Sequence, residues 1–431
     1  MTNSETKNFS QNVSSSYHLG GKCSDECKKD SLNVPKLRFK GYNEEWKQNK
    51  LGNLFEIKAG GDIDNKKLSK NKNEQYKYPV YANALQNNGL YGYSDIYKIS
   101  GETITVTGRG DVGHAIARKE NYYPIVRLLI LKPIVKQDVD FWANAINNTR
   151  IFVESTGVPQ LTAPQLAKIK IYYPSLPEQE KIAEFLTLID KKIEKQKELV
   201  ELLKKYKRGL LSQIFSQKLR FKDDNGNYYP NWEECRFDEI FQILGNNTLS
   251  RECLNYTNVG VKNIHYGDIL VKYNTCINDE IDKIPNINSD INLNKISDDN
   301  YLKVGDVILA DTAEDYTVGK ACEIVSCKAK ILSGLHTIPC RPKQYFAKGY
   351  LGYYLNSTEY HDKLIPLITG IKVSAISKKE IKKTIIKYPI YKEQEKIANL
   401  LLLIENKLNS NIKKLELFAT YKKGLLQQLF I

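Results

Sequence analysis

The chain has 431 residues, 41% of them hydrophobic and 10% aromatic, a globular composition long enough for two or three domains with separate cores. Lys and Arg number 64 against 50 Asp and Glu, a formal +14 that points to a polyanionic partner; the same surplus of Lys beside Asn, Ile and Tyr is also what an AT-rich genome would produce. The opening Met1-Thr2-Asn3-Ser4-Glu5 has no apolar core, and the most apolar stretch, Ile125 to Val135, is broken by Arg127 and Lys132, so neither a secretory signal nor a membrane span is expected and the location expected is cytoplasmic.

In chain order, residues 1–33 are polar, with Ser14-Ser15-Ser16 and Gly20-Gly21, and read as a disordered extension. A first variable domain is expected over 34–173. It opens on Lys36-Leu37-Arg38-Phe39-Lys40, then Trp46 and Phe55-Glu56-Ile57. Thr103 to Thr107 and Ile125 to Leu131 read as strands and Phe141 to Glu154 as a short helix. After Thr156-Gly157 the chain passes through Val158-Pro159-Gln160-Leu161-Thr162 to Tyr173-Pro174. A long helix is expected within 174–217, starting at Glu178-Gln179-Glu180-Lys181-Ile182-Ala183 and free of proline to Phe215.

The same unit then recurs. Lys218-Leu219-Arg220-Phe221-Lys222, Trp232 and Phe241-Gln242-Ile243 open a second variable domain over 218–387. Its strands are expected at Asp306 to Ala310 and Ala321 to Val325, with a helix over Gly349 to Leu364. Thr369-Gly370 leads through Ile371-Lys372-Val373-Ser374-Ala375 to Tyr388-Pro389 and a second long helix within 388–431, starting at Glu393-Gln394-Glu395-Lys396-Ile397-Ala398. The helices match at a constant offset of 215 residues, whereas Gly60 to Arg150 and Asn246 to Glu359 do not align. One scaffold therefore carries two different surfaces.

Apolar residues in each long helix alternate four and three apart, from Ile182 to Ile214 and from Ile397 to Leu429, the a/d seam of a coiled coil. Each helix would be about 57 Å long at about 1.5 Å per residue, too long for its own domain to cover. Two seam positions are polar in both copies: Gln196 with Asn411, and Lys207 with Lys422. Gln196 and Asn411 lie near the helix midpoints, so an antiparallel pair would set them within about one layer of each other and fix the register. The fold class expected is α+β: two mixed domains separated by two long helices in an antiparallel coiled coil, with a pseudo-two-fold internal repeat.

Catalytic signatures are missing from the sequence. It has no Gly-x4-Gly-Lys-[Ser/Thr] loop, no Asn-Pro-Pro-aromatic run and no dinucleotide fingerprint, and its five histidines have no metal spacing. The eight cysteines, close only at Cys23/Cys27 and Cys322/Cys327, read as free thiols, and no metal is expected. Two polar loops have the ingredients of a DNA-reading surface: Arg109, Asp111 and His114 in the first domain, where Asp111 would steady the Arg109 guanidinium, and Lys262, Asn263, His265 and Tyr266 in the second. Gln160 and Thr162 occupy the same place in copy one as Lys372 and Ser374 in copy two, and join the candidates.

The twice-repeated Lys-Leu-Arg-Phe-Lys opening, the Tyr-Pro-x-x-x-Glu-Gln-Glu-Lys-Ile-Ala helix start and the Tyr-Lys-(Arg/Lys)-Gly-Leu-Leu helix end together resemble the specificity subunit of type I restriction-modification enzymes, over nearly everything after residue 33. That resemblance implies a non-catalytic subunit whose two target-recognition domains each read half of a bipartite double-stranded DNA site. It implies two methyltransferase subunits using S-adenosylmethionine and motor-nuclease subunits using ATP and Mg, with those cofactors in the partners and none in this chain. Glu178, Gln179, Glu393 and Gln394 would belong to the docking surface. A coiled-coil adaptor whose variable domains bind protein or glycan would share this architecture, but would associate with DNA weakly and without salt dependence.

Overall fold

The computed structural model describes residues 33–151, 157–257, 259–370 and 373–431. Nearly all of the expected N-terminal extension, with Thr156 and Lys372, lies outside them. The chain forms two compact units, one of residues up to 197 together with 414–431, the other of 198–413. The expected boundaries kept each long helix as a separate piece; instead, each helix is divided between the units near its midpoint.

In the first unit β1 (Lys47–Lys50), α1 (Leu51–Leu54) and β2 (Phe55–Ala59) run directly into one another. They are followed by β3 (Leu68–Ser69), β4 (Tyr78–Tyr81), β5 (Leu90–Ser94), β6 (Thr103–Thr107), β7 (Ala115–Arg118), β8 (Tyr123–Pro124), β9 (Leu128–Pro133), α2 (Val139–Asn148), α3 (Ala163–Ala167), β10 (Lys170–Tyr173) and the long α4 (Leu176–Phe215). The main sheet has the order β2-β9-β6-β7, all antiparallel, and β3-β5-β4-β8 form a second sheet. Every residue of β6 is buried, which explains its unbroken Thr-Ile-Thr-Val-Thr run. Helix α2 starts where the Asp138 carboxylate accepts the Phe141 N–H, and the Asn147 amide bonds both backbone groups of Ala115, fastening helix to sheet. Pairing of β1 with β10 returns the chain to the start of α4, where Pro177 sits in the first turn and removes no intrahelical donor.

The second unit contains β11 (Glu233–Arg236), α5 (Phe237–Ile240), β12 (Phe241–Ile243), β13 (Leu254–Asn255), β14 (Lys262–Ile264), α6 (Tyr266–Val271), β15 (Cys276–Asn278), β16 (Asn286–Ile287), β17 (Val307–Ala310), β18 (Thr312–Ala313), β19 (Ala321–Ser326), β20 (Ile331–Ser333), β21 (Thr337–Pro342), α7 (Tyr350–Leu355), α8 (Thr358–His361), β22 (Ser374–Ala375), α9 (Lys378–Ile381), β23 (Ile385–Tyr388) and α10 (Tyr391–Leu429). Its main sheet, β12-β21-β17-β19-β15, repeats the order of the first and adds one parallel strand. The Asn356 amide bonds both backbone groups of Ala321, as Asn147 does at Ala115. The middles that do not align in sequence therefore share one topology. Three local expectations shift: the strand placed at Ile125 begins at Leu128, the helix placed to Glu154 ends at Asn148, and Gly349 to Leu364 contains two short helices, because the Asn356 side chain caps the first.

Each unit's core combines the start of one long helix with the end of the other. In the first, Ile182 and Leu186 of α4 join Leu425, Leu429 and Phe430 around Trp46, Phe141 and Trp142, with the Phe430 ring 6.2 Å from Trp46 and 5.3 Å from Phe141. In the second, Leu210, Ile214 and Phe215 join Ile397, Leu401 and Ile404, and Phe215 lies 6.3 Å from Trp232. The helical segments run antiparallel within each unit: Asp190 pairs with Lys422 in the first, and Lys207 with Glu405 in the second. These are the two lysines at polar seam positions, and each meets a carboxylate of the opposing helix. Among the described residues no helix is long and apolar enough to cross a membrane.

Phe430→Ala is expected to destabilise the first unit by about 3–5 kcal/mol in chemical denaturation, since it empties a buried aromatic cluster. Leu417→Ala, exposed on the same helical segment, is expected to change stability by no more than about 0.5 kcal/mol. Equal effects would show that the chain end does not belong to that core.

Candidate nucleic-acid interface

The candidate residues fall into two groups, at the helix starts and in the variable loops. At the helix starts, Glu178 accepts both Nε and Nη2 of Arg38, at 2.7 and 2.8 Å, and Glu393 accepts the same pair from Arg220, at 2.8 and 2.9 Å. Gln179 and Gln394 each donate to a proline carbonyl before the helix, at Pro174 and Pro389, and accept the backbone N–H of Asp138 and Ala347 respectively. All four side chains are at most 3% exposed. They tie helix to domain and have no face left for a partner, which corrects their expected role as a docking surface. The repeated Arg and the repeated Glu-Gln, read in the sequence as separate motifs, are two halves of one clamp.

In the first unit the candidate loop follows β6. Gly108 O accepts Leu161 N–H at 2.8 Å, Gly110 N–H reaches Pro159 O at 3.0 Å, and Arg109 and Gln160 form an antiparallel bridge, so these two exposed side chains sit side by side. Behind them, the Asn83 amide accepts the N–H groups of Gly108 and Arg109 and donates to Arg109 O. A Cβ on Gly108 would meet Arg127 O at 2.5 Å, so only glycine allows this close approach. The expected steadying of Arg109 by Asp111 is not made: among the described residues no ion pair joins them, and the Asp111 backbone carbonyl instead accepts from Thr107 Oγ1. His114 is held by Thr107, its backbone bonded at both ends, and burial with the nearby Arg118 guanidinium lowers its pKa below the usual imidazole value. Thr162 caps α3 and bonds Gln165, a structural role.

In the second unit the matching platform follows β17, where Asp311 O accepts Ile376 N–H at 2.9 Å and β18 pairs with β22. Topologically, Gln160 matches Ala375 and the cap Thr162 matches Ser377, which caps α9. The expected match of Gln160/Thr162 with Lys372/Ser374 is thus out of step, because the Thr156-Gly157 and Thr369-Gly370 pairs lie 213 residues apart and not 215. Ser374 does lie on the platform, half-buried opposite Ala313. Beside it, His336 bonds Asp311 and Thr312, and its ring is 5.3 Å from Tyr266, which in turn is 4.6 Å from His265. His265 is mostly buried, accepts Gly267 N–H as the cap of α6, and has its pKa lowered by burial and by Arg251. Asn263 is fully buried and bonded to Asn247, so it supports the loop and does not face outward. Lys262 extends to Asp279 O.

Sequence reasoning missed Asn83, His336 and the pair Arg251–Asp268, in which a fully buried carboxylate holds a half-exposed guanidinium. Nothing in the spacing pointed to Asn83, whose partners are brought together by the sheet. Among the described residues no cluster of His, Cys, Asp or Glu is arranged to hold a metal ion.

Residues 43–204 match the family model described as the type I restriction modification DNA specificity domain. A Mycoplasma pneumoniae protein named as a type I specificity subunit is 33% identical over 141 residues, 32% of this chain and 39% of that one. The type I restriction enzyme MjaVIII specificity subunit of Methanocaldococcus jannaschii is 24% identical over 294 residues, 64% of each chain. The chain spans about half the length, or less, of the first Mycoplasma relatives it matches. The crystal structure of the type I restriction-modification S subunit from M. genitalium has the same fold, with a TM-score of 0.59 over 92% of this chain and 99% of that one at 17% identity.

Asn83→Ala is expected to loosen the Gly108–Arg109 backbone by about 1–2 kcal/mol, seen as roughly 5- to 30-fold faster amide exchange there with the β6 interior unchanged. Unchanged exchange at both amides would remove Asn83 from this role.

Proposed function

We propose that this chain is a specificity subunit of the type I restriction-modification kind and that it reads a bipartite DNA sequence, one half with each variable domain, as a non-catalytic subunit. The observation that carries this reading is the loop platform built twice on the same sheet order but furnished differently. Arg109 and Gln160 stand on one; Thr312, Ser374, Tyr266 and His336 stand on or beside the other. Equal scaffolds with unequal side chains suit an asymmetric target. Lysines and arginines neutralise phosphates and supply salt-dependent affinity, while these few polar and aromatic groups discriminate bases, each good bidentate contact by about 1–3 kcal/mol.

The partners in this proposal are two methyltransferase subunits, which bring S-adenosylmethionine, and motor-nuclease subunits, which bring ATP and Mg; the complex works in the cytoplasm. Docking falls to exposed apolar residues of the long helices. Leu202 and Tyr206 in the second unit, and their repeat equivalents Leu417 and Tyr421 in the first, are 57 to 68% exposed. A duplicated patch suits two copies of one partner.

The helices act as a spacer in an antiparallel coiled coil. Supporting this, Lys422–Asp190 and Lys207–Glu405 are repeat equivalents of each other with the roles of the two helices exchanged, as pseudo-two-fold symmetry requires. Gln196 is buried in the first unit, and Asn411 donates to Lys407 O in the second.

Long-read mapping of methylated adenine in cells with and without this gene tests the function. Loss of one bipartite motif on deletion is expected; an unchanged methylome, with the gene and its partner genes expressed, contradicts the reading. For docking, Leu202→Glu combined with Leu417→Glu is expected to abolish co-purification of the methyltransferase with little change in Tm, whereas retained stoichiometry places the partner elsewhere.

A further inference from the structure

We propose that Arg251 is a base-reading residue of the second unit, directed at a guanine edge by the buried carboxylate of Asp268. The inference rests on the DNA-recognition reading above and assigns one of its specificity contacts. Asp268 stands in the first turn of α6 and is fully buried. Its Oδ2 accepts Arg251 Nη1 at 2.9 Å, and its Oδ1 lies 2.9 Å from Lys272 Nζ one turn further on. A carboxylate this deeply buried needs its cations, so it holds them where they are.

The surroundings show what the held guanidinium faces. Arg251 is about half exposed, with the side chain at 47%. A Cβ on Gly267 would come within 3.2 Å of Arg251 Nη2, so glycine at this position leaves room for the fork. Next to it stand the His265 and Tyr266 rings, with His336 against Tyr266, and the Arg251 charge contributes to holding His265 below its usual pKa. The guanidinium thus has Nη1 fixed on Asp268 and Nη2 beside Gly267, while about half of the side chain remains exposed.

That arrangement favours a base over a phosphate. A phosphate contact gains from undiminished positive charge, which the Asp268 carboxylate reduces; a base contact gains from direction, which it supplies. Guanine presents the adjacent O6 and N7 acceptors that match a guanidinium fork, and a fork already fixed loses less freedom in reaching them. The first unit solves the problem differently, since its Arg109 is positioned through the backbone by Asn83 and has no carboxylate of its own in Asp111.

The test uses the complete complex and duplexes built on its mapped motif, with every base pair of the motif varied singly. Arg251→Gln and Arg251→Lys are each expected to reduce the preference for one G·C pair roughly 10- to 100-fold, leaving preferences at all other positions intact. Lysine keeps a cation on Asp268 and so preserves the fold while removing the fork. Asp268→Asn is expected to weaken the same preference with the Arg251 charge still present. Preferences unchanged at every position would overturn the proposal. So would a uniform loss on all duplexes with the salt slope smaller by about one, the mark of a phosphate contact. If the unmodified complex shows no sequence preference at all, the DNA-recognition reading itself fails, which is a separate result.

Discussion

A 40-residue helix with an apolar seam broken at only two positions is the constraint on which the architecture depends. At about 1.5 Å per residue it spans about 60 Å, and a domain of ordinary size covers only part of that. This chain meets the constraint by duplication: the start of each long helix is sheltered in its own domain and its end in the other copy's domain. The consequence appears in the cores. Phe430, at the chain's end, packs on Trp46 near its beginning, just as Phe215 packs on Trp232. The motifs that open and close each repeat are constant because they are the two sides of these contacts.

Charged groups set the geometry that apolar packing leaves free. The Arg38–Glu178 and Arg220–Glu393 clamps are two-pronged, and each carboxylate is essentially buried. Removing either arginine would strand a buried charge at a cost of about 3–5 kcal/mol, so the angle between domain and helix is tightly held. The seam lysines act similarly. Lys207 lies beside Glu405, which also accepts from the Tyr353 hydroxyl, and a helix slipped by one turn would break this group and leave its members unpaired. Polar groups in the seam thus choose one register out of several that hydrophobic contact alone would tolerate.

The scaffold was legible in the sequence and the surfaces of the variable loops were not. Repetition exposed the helices, their seam and the matched polar positions, because these depend on local periodicity and on motifs that recur at a constant offset. It did not show that Arg38 reaches Glu178, a contact between residues 140 positions apart. Nor did it separate a buried carboxylate such as Asp268 from an exposed one such as Asp111, since both follow a glycine in a polar loop. The candidates divide on the same line. Arg109, Gln160 and Tyr266 stand on outward platforms, whereas Asn263, Thr162, Glu178 and Gln394 are consumed by the fold. Burial is set by sheets whose strands are distant in sequence, and no window of residues contains it.

The proposed function has the long helices set the spacing between the half-sites of a bipartite target. It is tested most directly by inserting one matched heptad at the midpoint of each long helix and mapping the methylated motif of the resulting complex. Seven residues add about 10 Å of helix, close to three base pairs of duplex. Both half-sites are expected to be retained, with the gap between them lengthened by whole base pairs, up to about three. Both half-sites retained with an unchanged gap would contradict it.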